Sequence, residues 1–340
     1  MKFSIGYQTP SDNGESFVNI VKDYHEHIAE VYFSWVGSPS GRPPVGLRDG
    51  FYDWDAQRRI ESELKIIRDM GIRLTLLLNA NCHGAAAISQ HHANFVISMV
   101  EHISETVGLD GVTTASPMIA HVIKKNFEKL ELKASVNMRI GTVKGMEYLA
   151  DLYDNFCIQR DYNRDIERIA ELKDWADKNG KKLSLLANSG CLQFCSGQTF
   201  HDNLVAHEKE ISGQQNISEW NPHLCWRYLS QKSNWVSLLQ NTWIRPEDID
   251  HYAPFFTVIK LATRTNSNPR GIIGAYARRL YHGNLLNLLE PCHASLLSPY
   301  LISNQEFPQN WFERTSQCNK KCSRCTYCQS VLEKVLLNQV

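Results

Sequence analysis

The chain has 340 residues, of which 43% are hydrophobic, and its 36 lysines and arginines balance 36 aspartates and glutamates. A chain of this size can bury a substantial core, and its balanced charge excludes a global electrostatic bias toward nucleic acid or acidic membranes. The N-terminus lacks an apolar stretch with a small-residue cleavage site, and no run approaches the roughly 20 apolar residues of a spanning helix. These features predict a cytoplasmic protein, in which the ten cysteines stay reduced.

Short β-rich apolar segments alternate with amphipathic segments along the chain. Eight strands are predicted, at residues 3–7, 29–35, 73–79, 111–114, 133–137, 155–159, 182–187 and 255–261. Helices are predicted between them, for example at 56–70 and 164–178, where apolar residues recur at helical spacing. Gly71 and Gly180 each follow one of these helices and suit its C-terminal cap.

The alternation of strands and helices predicts parallel strands joined by helical crossovers. Eight such units match a TIM-type (β/α)8 barrel, for which about 250 residues is an ordinary size. The strongest rival is an open doubly wound sheet, but residues 8–14 after the first strand contain no GxGxxG phosphate loop. The sequence therefore favours an α/β barrel, regular or distorted, over residues 1–299.

Two segments interrupt or follow the barrel pattern. Residues 190–244 lose the regular alternation and contain four tryptophans, and they follow the seventh strand at the face where barrel enzymes carry their active sites. Residues 300–340 are predicted to form a cysteine-rich appendage. Its last part carries an apolar stripe that is expected to dock, at Val331, Leu332, Val335 and Leu336.

Seven cysteines fall into two groups, whose short spacings favour metal or iron–sulfur ligation over disulfides. In the first group, Cys191 and Cys195 follow the seventh strand, and Cys225 reaches them if the chain folds back. Three thiolates suit an iron–sulfur cluster that takes a fourth ligand or leaves one iron open for substrate. Free loop thiols are a second alternative. Zinc is a third, because it takes thiolates together with histidines, here His201, His207 and His223.

The second group packs four thiols into eleven residues, at Cys318, Cys322, Cys325 and Cys328. The overlapping Cys-x2-Cys steps are reminiscent of ferredoxins and predict a second cluster. A structural zinc is the alternative, because four cysteines close a tetrahedral site. A third possibility is that the tail folds over the barrel mouth and supplies one thiol as a ligand to the first group.

Four cations lie at predicted strand ends. Arg160 and Arg164 lie at the end of the sixth predicted strand. Lys260 and Arg264 lie at the end of the eighth, and barrel enzymes place binding and catalytic groups at such positions. They predict a pocket for an anionic substrate, because arginine binds carboxylate or phosphate in a bidentate manner. The alternative is that they pair with acidic neighbours on a solvated surface.

The motif CLQFCSGQ at residues 191–198, followed by CWRY at 225–228, resembles the cysteine signature of the collagenase-like peptidases, unassigned-type peptidase family 32. Three further segments are similar to family motifs, QRDYNRD at 159–165, IRPEDI at 244–249 and VIKLATR at 258–264. The resemblance covers roughly residues 1–270, and the ordered set is more specific than any one motif.

The resemblance implies a TIM-like barrel with a 4Fe-4S cluster at its mouth. Despite the peptidase name, it implies oxygen-independent hydroxylation of nucleobases in RNA or of quinone precursors, with prephenate as oxygen donor. A dicarboxylate of this kind suits the four cations. Relatives supply four cysteines near the barrel and this chain supplies three, so the fourth ligand is open between Cys82, Cys292 and a tail cysteine.

Three functions follow from these observations. The leading hypothesis is an iron–sulfur enzyme that hydroxylates, or transfers a related redox group to, a small or nucleotide-like substrate. The second is a peptidase of the same family, whose activity survives iron removal. The third is a non-catalytic iron–sulfur or zinc scaffold that pairs with a homologous chain through the tryptophan-rich insertion. The balanced charge gives no support to independent RNA binding.

Overall fold

Eight parallel strands follow one another around a barrel in a computed structural model, which describes residues 1–9, 14–42, 47–48 and 51–338. Each strand pairs with the next in chain order, and the eighth returns to pair with the first. The strands are β1 (Lys2–Gly6), β2 (Ile28–Ser34), β3 (Arg73–Leu78), β4 (Gly111–Thr114), β5 (Glu131–Ala134), β6 (Asn155–Cys157), β7 (Lys182–Ser184) and β8 (Val258–Leu261).

The barrel closes just above the last residue of β7. Leu186 pairs in parallel with Lys260 of β8, and the flanking main-chain bonds run from Ala187 N to Lys260 O and from Lys260 N to Leu185 O, at 3.0 and 2.8 Å. This pairing excludes an open doubly wound sheet. The predicted TIM-type barrel and its eight strands are confirmed. Several strands end before their predicted ends, because residues such as 158–159 and 185–187 leave the regular ladder and run onto the rim.

Helices cover the outside of the barrel and fill the segments after β7 and β8. They are α1 (Phe17–Asp23), α2 (Trp54–Asp69), α3 (Gln90–Thr106), α4 (Pro117–Asn126), α5 (Val143–Glu147), α6 (Ile166–Lys178), α7 (Gln198–Ala206), α8 (Glu208–Ser212), α9 (Leu224–Leu229), α10 (Val236–Gln240), α11 (Pro269–Arg278), α12 (Ala294–Leu297), α13 (Trp311–Ser316) and α14 (Tyr327–Val335). No helix among the described residues has the length and apolar content that a bilayer crossing requires.

Local sequence explains where the two longest predicted helices begin and end. The Asp53 side chain accepts a hydrogen bond from Ala56 N and caps α2, and Asp165 caps α6 by accepting from Arg168 N. Gly71 and Gly180 follow these helices with φ of 81° and 63°, a left-handed conformation that glycine adopts without strain. The predicted glycine caps are therefore confirmed.

Several shorter elements complete the fold. Two-residue strands at Leu47–Arg48 and Phe51–Tyr52 pair in antiparallel fashion, as do β9 (Tyr300–Ile302) and β10 (Leu336–Asn338). Turns of 3-10 helix lie at His25–His27, Gly84–Ala86, Val136–Met138, Arg160–Tyr162, Lys232–Asn234, Pro246–Tyr252, Leu285–Leu288, Asn304–Glu306 and Cys322–Arg324.

The C-terminal segment packs onto the insertion through stacked aromatic rings. Trp311 of α13 lies 5.8 Å from Trp243 and 6.0 Å from Tyr327 of α14, with interplanar angles of 15° and 20°. The predicted apolar stripe docks as expected, since Val331, Leu332 and Val335 are buried in the main core. Residues 339–340 of the predicted appendage lie outside the described residues.

A charged group lies inside the barrel near the amino ends of the strands. The buried Glu30 carboxylate of β2 accepts hydrogen bonds from Ser4 Oγ at 2.7 Å and Thr75 Oγ1 at 2.8 Å, and it forms an ion pair with Lys133 of β5. Burial alone raises the pKa of Glu30, but Lys133 and the two hydroxyls outweigh it and lower the pKa to about 2. The ion pair therefore links β2 and β5 across the barrel.

Removing the Glu30 charge is expected to destabilise the barrel. Glu30→Gln removes the nearer of the two carboxylates paired with Lys133 and leaves only Glu131, 3.7 Å from its Nζ, which costs on the order of 3 kcal/mol in the free energy of unfolding. Because the folded pKa of Glu30 lies below its unfolded value, its stabilisation is full above about pH 4.5 and is lost toward pH 2. Urea denaturation should show a large deficit of the variant at pH 7 that narrows as the pH falls to 2.

The exposed pair of Lys144 and Glu147 provides the matched control. Glu147→Gln also neutralises one member of an ion pair, but in water, and should change the free energy of unfolding by less than about 0.5 kcal/mol. Equal effects of Glu30→Gln and Glu147→Gln would contradict the interior role of Glu30.

Candidate functional site

The chain leaves β7 through a segment that is tightly held against β8. The buried Asn188 side chain donates to Ala262 O and Leu288 O, both at 2.8 Å, and accepts from Ala262 N at 2.7 Å. At Gly190 an added Cβ would lie 2.1 Å from Pro291 O, so only glycine fits this close approach. Cys191 therefore emerges at a defined position on the carboxyl rim of the barrel.

The loop that carries Cys191 and Cys195 is held from two sides. Asp161, which follows β6, accepts a hydrogen bond from Phe194 N at 2.5 Å. Asn241, from the end of the insertion, accepts from Gln193 N at 3.1 Å and donates to Gly190 O at 3.2 Å. Because Asp161 and Asn241 are both buried, these bonds fix the loop to the barrel and to the insertion together.

The insertion brings Cys225 to this loop. Burial and, after it, the neighbouring Cys191 and Cys195 together raise the pKa of the Cys225 thiol to about 11. Cys195 and Cys225 line a cavity of about 490 Å³ that also contains Cys322 of the tail. The three cysteines predicted as one group thus lie together. Among the described residues, no three or more Cys, His, Asp or Glu side chains are arranged closely enough to hold a metal as they stand.

Two guanidinium groups stand beside the first cysteine, the buried one of Arg160 and the partly exposed one of Arg42. Arg160 donates from Nη1 to Cys191 Sγ at 3.1 Å and from Nη2 to Asn137 Oδ1 at 3.2 Å. Arg42, from the loop after β2, places Nε 2.5 Å from Glu290 Oε1. Burial alone lowers the pKa of Arg42, but Glu290 and Cys191 outweigh it and raise the pKa. The sequence analysis missed Arg42 and Glu290, although Arg42 follows a strand end.

The two predicted cations of β8 lie at different depths. Arg264 is on the rim, where Nη1 donates to Ser40 Oγ at 3.1 Å, and burial lowers its pKa to about 10. Lys260 lies inside the barrel, with Nζ 3.9 Å from the Tyr32 ring centroid, and burial lowers its pKa to about 8. It lines a cavity of about 300 Å³ with Cys157 toward the amino ends of the strands. Lys260 is therefore separated from the mouth at which it was expected.

Arg164 also occupies a different position from the one expected. Its guanidinium donates from Nε and Nη2 to Trp243 O and from Nη1 to Leu239 O, at 2.8 to 3.1 Å. It lies 4.2 Å from the Trp243 ring and 5.1 Å from the Trp311 ring. These contacts place Arg164 in the packing between the insertion and the C-terminal segment, where main-chain carbonyls take the place of a substrate anion.

The four tail cysteines lie together above Arg164. Burial is the main cause that raises the pKa of the Cys328 thiol, Arg164 opposes it, and Cys322, Cys318 and Cys325 also raise the pKa, with a net value of about 11. Cys318, Cys322 and Cys328 line a small cavity with Arg164. Cys322 also lines the cavity of Cys195 and Cys225, so it stands between the two cysteine groups.

The positions of the cysteines distinguish among the candidates for a fourth ligand of the first group, which were Cys82, Cys292 and a tail cysteine. Cys82 lines a separate cavity with His207, and the exposed Cys292 has Asn287 Oδ1 as its neighbour at 4.0 Å. Cys322 is the candidate that shares a cavity with the first group. The three histidines predicted as zinc ligands do not lie together. His201 and His223 contact each other near the mouth, whereas His207 does not join them.

Comparisons with known proteins agree with this architecture. No family model matches the sequence. The chain is 25% identical over 287 residues to the Uncharacterized protease MJ1657 of Methanocaldococcus jannaschii, across 82% of this chain and 81% of that protein. Its fold is similar to the solved structure of the U32 peptidase Mk0906, with a TM-score of 0.54 and 13% identity over 77% of this chain and 92% of that one. These likenesses support the U32 peptidase family, the family that the cysteine motifs indicated.

Arg164 provides a test of how the C-terminal segment is held. Arg164→Met leaves the carbonyls of Trp243 and Leu239 buried without their donors, which should lower the free energy of unfolding by about 3 kcal/mol. We also expect trypsin to cleave the C-terminal segment faster in the variant. Denaturant titration and timed proteolysis measure both effects.

The matched control is Arg58→Met, which removes an exposed arginine of α2 whose partner is Asp55. It should change the free energy of unfolding by less than about 0.5 kcal/mol and leave the cleavage rate unaltered. If Arg164→Met behaved like Arg58→Met, the docking role of Arg164 would be refuted.

Proposed function

We propose that this chain, whose likenesses support the U32 peptidase family, is an iron–sulfur-dependent enzyme that performs oxygen-independent hydroxylation or a related redox group transfer. The observation that carries the proposal is the meeting of Cys191, Cys195 and Cys225 at the barrel mouth, beside the buried Arg160. Barrel enzymes carry their chemistry at this face.

Three thiols are the donor chemistry that an iron–sulfur cluster takes, although the described side chains are not close enough together to hold a metal as they stand. Cys191, Cys195 and Cys225 would hold a 4Fe-4S cluster, with Cys322 as fourth ligand or with one iron left open to substrate. When bound, the cluster supplies electron transfer and, at an open iron, a site for substrate. Arg160 donates to Cys191 Sγ, and this contact stabilises negative charge on the sulfur.

The charges around the mouth favour an anionic substrate. Arg42, Arg160 and Arg264 converge there, while Glu290 is the carboxylate that pairs with Arg42. Guanidinium groups suit carboxylate or phosphate, so a prephenate-like dicarboxylate or a nucleotide-like molecule fits this pocket. Burial strengthens such contacts, because water competes less for the arginine donors.

Two other functions keep specific support. The names of both similar proteins favour a peptidase, which would cleave peptides equally well without iron. A scaffold that pairs with a homologous chain is favoured by exposed aromatic side chains on the insertion, at Phe200, Trp220, Trp226 and Tyr228. Peptide cleavage by iron-free protein, or copurification with a homologous chain, would favour one or the other.

Anaerobic purification tests the proposed cofactor. The protein is expected to be brown and to contain about four irons and four sulfides per chain at the mouth. Cys191→Ser, Cys195→Ser and Cys225→Ser should each lower the iron content and bleach the visible absorption, because each removes a thiolate ligand. Iron and sulfide assays with a visible spectrum make the measurement.

Cys292→Ser is the matched control, since the Cys292 side chain is exposed and its Sγ has Asn287 Oδ1 as its neighbour at 4.0 Å. Its iron content and spectrum should equal those of the unmodified protein. A colourless protein with zinc in place of iron would contradict the redox proposal.

The tail quartet is proposed to hold a second metal, either a structural zinc or a second cluster, with Cys318, Cys322, Cys325 and Cys328 as the four ligands. Cys325→Ser should remove this metal and leave the iron at the mouth unchanged. If Cys322 is shared with the mouth, Cys322→Ser should lower the mouth iron as well, because Cys322 lines both cavities. Elemental analysis of the two variants separates these cases, and full metal content in both would contradict a tail site.

A further inference from the structure

A cysteine outside both groups lies in a chemically organised setting. Cys82, on the loop after β3, receives a hydrogen bond from Gly84 N to Sγ at 3.4 Å, and the His207 imidazole lines the same cavity as the thiol. On the other side of the ring, His207 Nδ1 lies 2.8 Å from Glu210 Oε2 of α8. Since Nδ1 pairs with Glu210, Nε2 is the ring nitrogen that remains available to the Cys82 thiol.

The electrostatics of this group favour a charged thiolate. The hydrogen bond from His207 and then that from Gly84 lower the pKa of Cys82. Cys82 and then Glu210 raise the pKa of His207. A thiolate beside an imidazolium is the state that makes a cysteine nucleophilic near neutral pH.

The thiol faces a cavity of about 190 Å³ between the loop after β3, α3 and the end of α7. The lining is largely apolar and includes Leu78, Phe95, Val96, Met99 and Ile119. His83 and His92 also line the cavity, and their Nε2 atoms are buried and have no hydrogen-bond partner among the described residues. Burial lowers the pKa of His83 to about 4 and also lowers that of His92, so both rings are neutral at pH 7.

We propose that Cys82 is the nucleophile of a thiol-dependent acyl-transfer site, with His207 as its acid–base partner and Glu210 as the positioning residue. The apolar wall suits a short aliphatic acyl group. The free Nε2 atoms of His83 and His92 are available to hydrogen-bond the acyl oxygen. The substrate class is therefore an ester or amide of a short apolar acid, with water as acyl acceptor.

The reaction balances with the groups present. The Cys82 sulfur attacks the acyl carbon and forms a C–S bond, while the C–O or C–N bond to the leaving group breaks and His207 gives that group its proton. Water then loses a proton to His207 and attacks the thioester carbon. The C–S bond breaks, the sulfur leaves as a thiolate beside the protonated His207, and the acid is released without oxidation or reduction.

This site is independent of the iron–sulfur proposal. It contains none of the seven cysteines assigned to the two metal groups, and its chemistry needs no electron transfer. All tests are therefore run both on anaerobically purified protein and on protein from which metal has been removed by chelation. Loss of iron with retained acylation separates the two proposals.

The first test compares alkylation rates in the unmodified protein. Iodoacetamide labelling at pH 7, followed by peptide mass mapping, should label Cys82 about tenfold faster than Cys292, because a thiolate reacts and a thiol does not. Cys292 is the internal control, since it is exposed and has an amide oxygen as its neighbour. Equal rates at Cys82 and Cys292 would overturn the proposal without any variant.

The second test uses p-nitrophenyl butanoate. One equivalent of nitrophenol should be released in a burst, with the butanoyl group recovered on the Cys82 peptide. Cys82→Ser and His207→Gln should each reduce the burst rate about 100-fold, and Cys292→Ser should not. Glu210→Gln should lower the acylation rate at saturating ester without changing the half-saturating concentration, because Glu210 acts through His207.

Three results would overturn the proposal. One is a burst that persists in Cys82→Ser, and another is the absence of acyl group on Cys82 in folded, unmodified protein. The third is one zinc per chain in the unmodified protein that shows no acylation and loses the zinc in Cys82→Ser. Cys82 and His207 would then form a metal site. Thermal denaturation of each variant identifies a rate loss that comes from unfolding.

Discussion

The closure of the barrel between β7 and β8 is the constraint on which the rest of the structure depends. Main-chain bonds join residues 185–187 to Lys260, and the Asn188 side chain continues the connection to Ala262 beyond the last regular pair. Because the segment after β7 is held this way, Cys191 and Arg264 emerge on the same rim. A long insertion can then fold over the mouth without disturbing the barrel.

Two arginines four residues apart divide the space above the rim. Arg160 points to Cys191 at the mouth, while Arg164 lies between Trp243 and Trp311 under the tail cysteines. The turn of 3-10 helix at Arg160–Tyr162 separates their directions. One short segment after β6 therefore supports both the candidate active site and the docking of the C-terminal segment, with Cys322 between them.

Much of the fold follows from local sequence. All eight strands were predictable, because a buried strand needs a short apolar run wherever it lies in the barrel. Their carboxyl ends were less predictable, since residues such as Ile158 and Leu186 remain buried after leaving the ladder. The place of a residue near a strand end also does not define how deep its side chain lies in the barrel. Lys260 was therefore expected at the mouth but lies inside the barrel.

The sequence by itself determined the barrel, the helix caps and the two groups of closely spaced thiols, because spacing and periodicity are local properties. Tertiary structure alone decided which groups meet. The pairing of Arg42 with Glu290, the position of Cys322 in the lining of two cavities and the meeting of Cys82, His207 and Glu210 at a third cavity join distant parts of the chain. Such contacts depend on how the loops pack on the rim, and no local pattern encodes that packing.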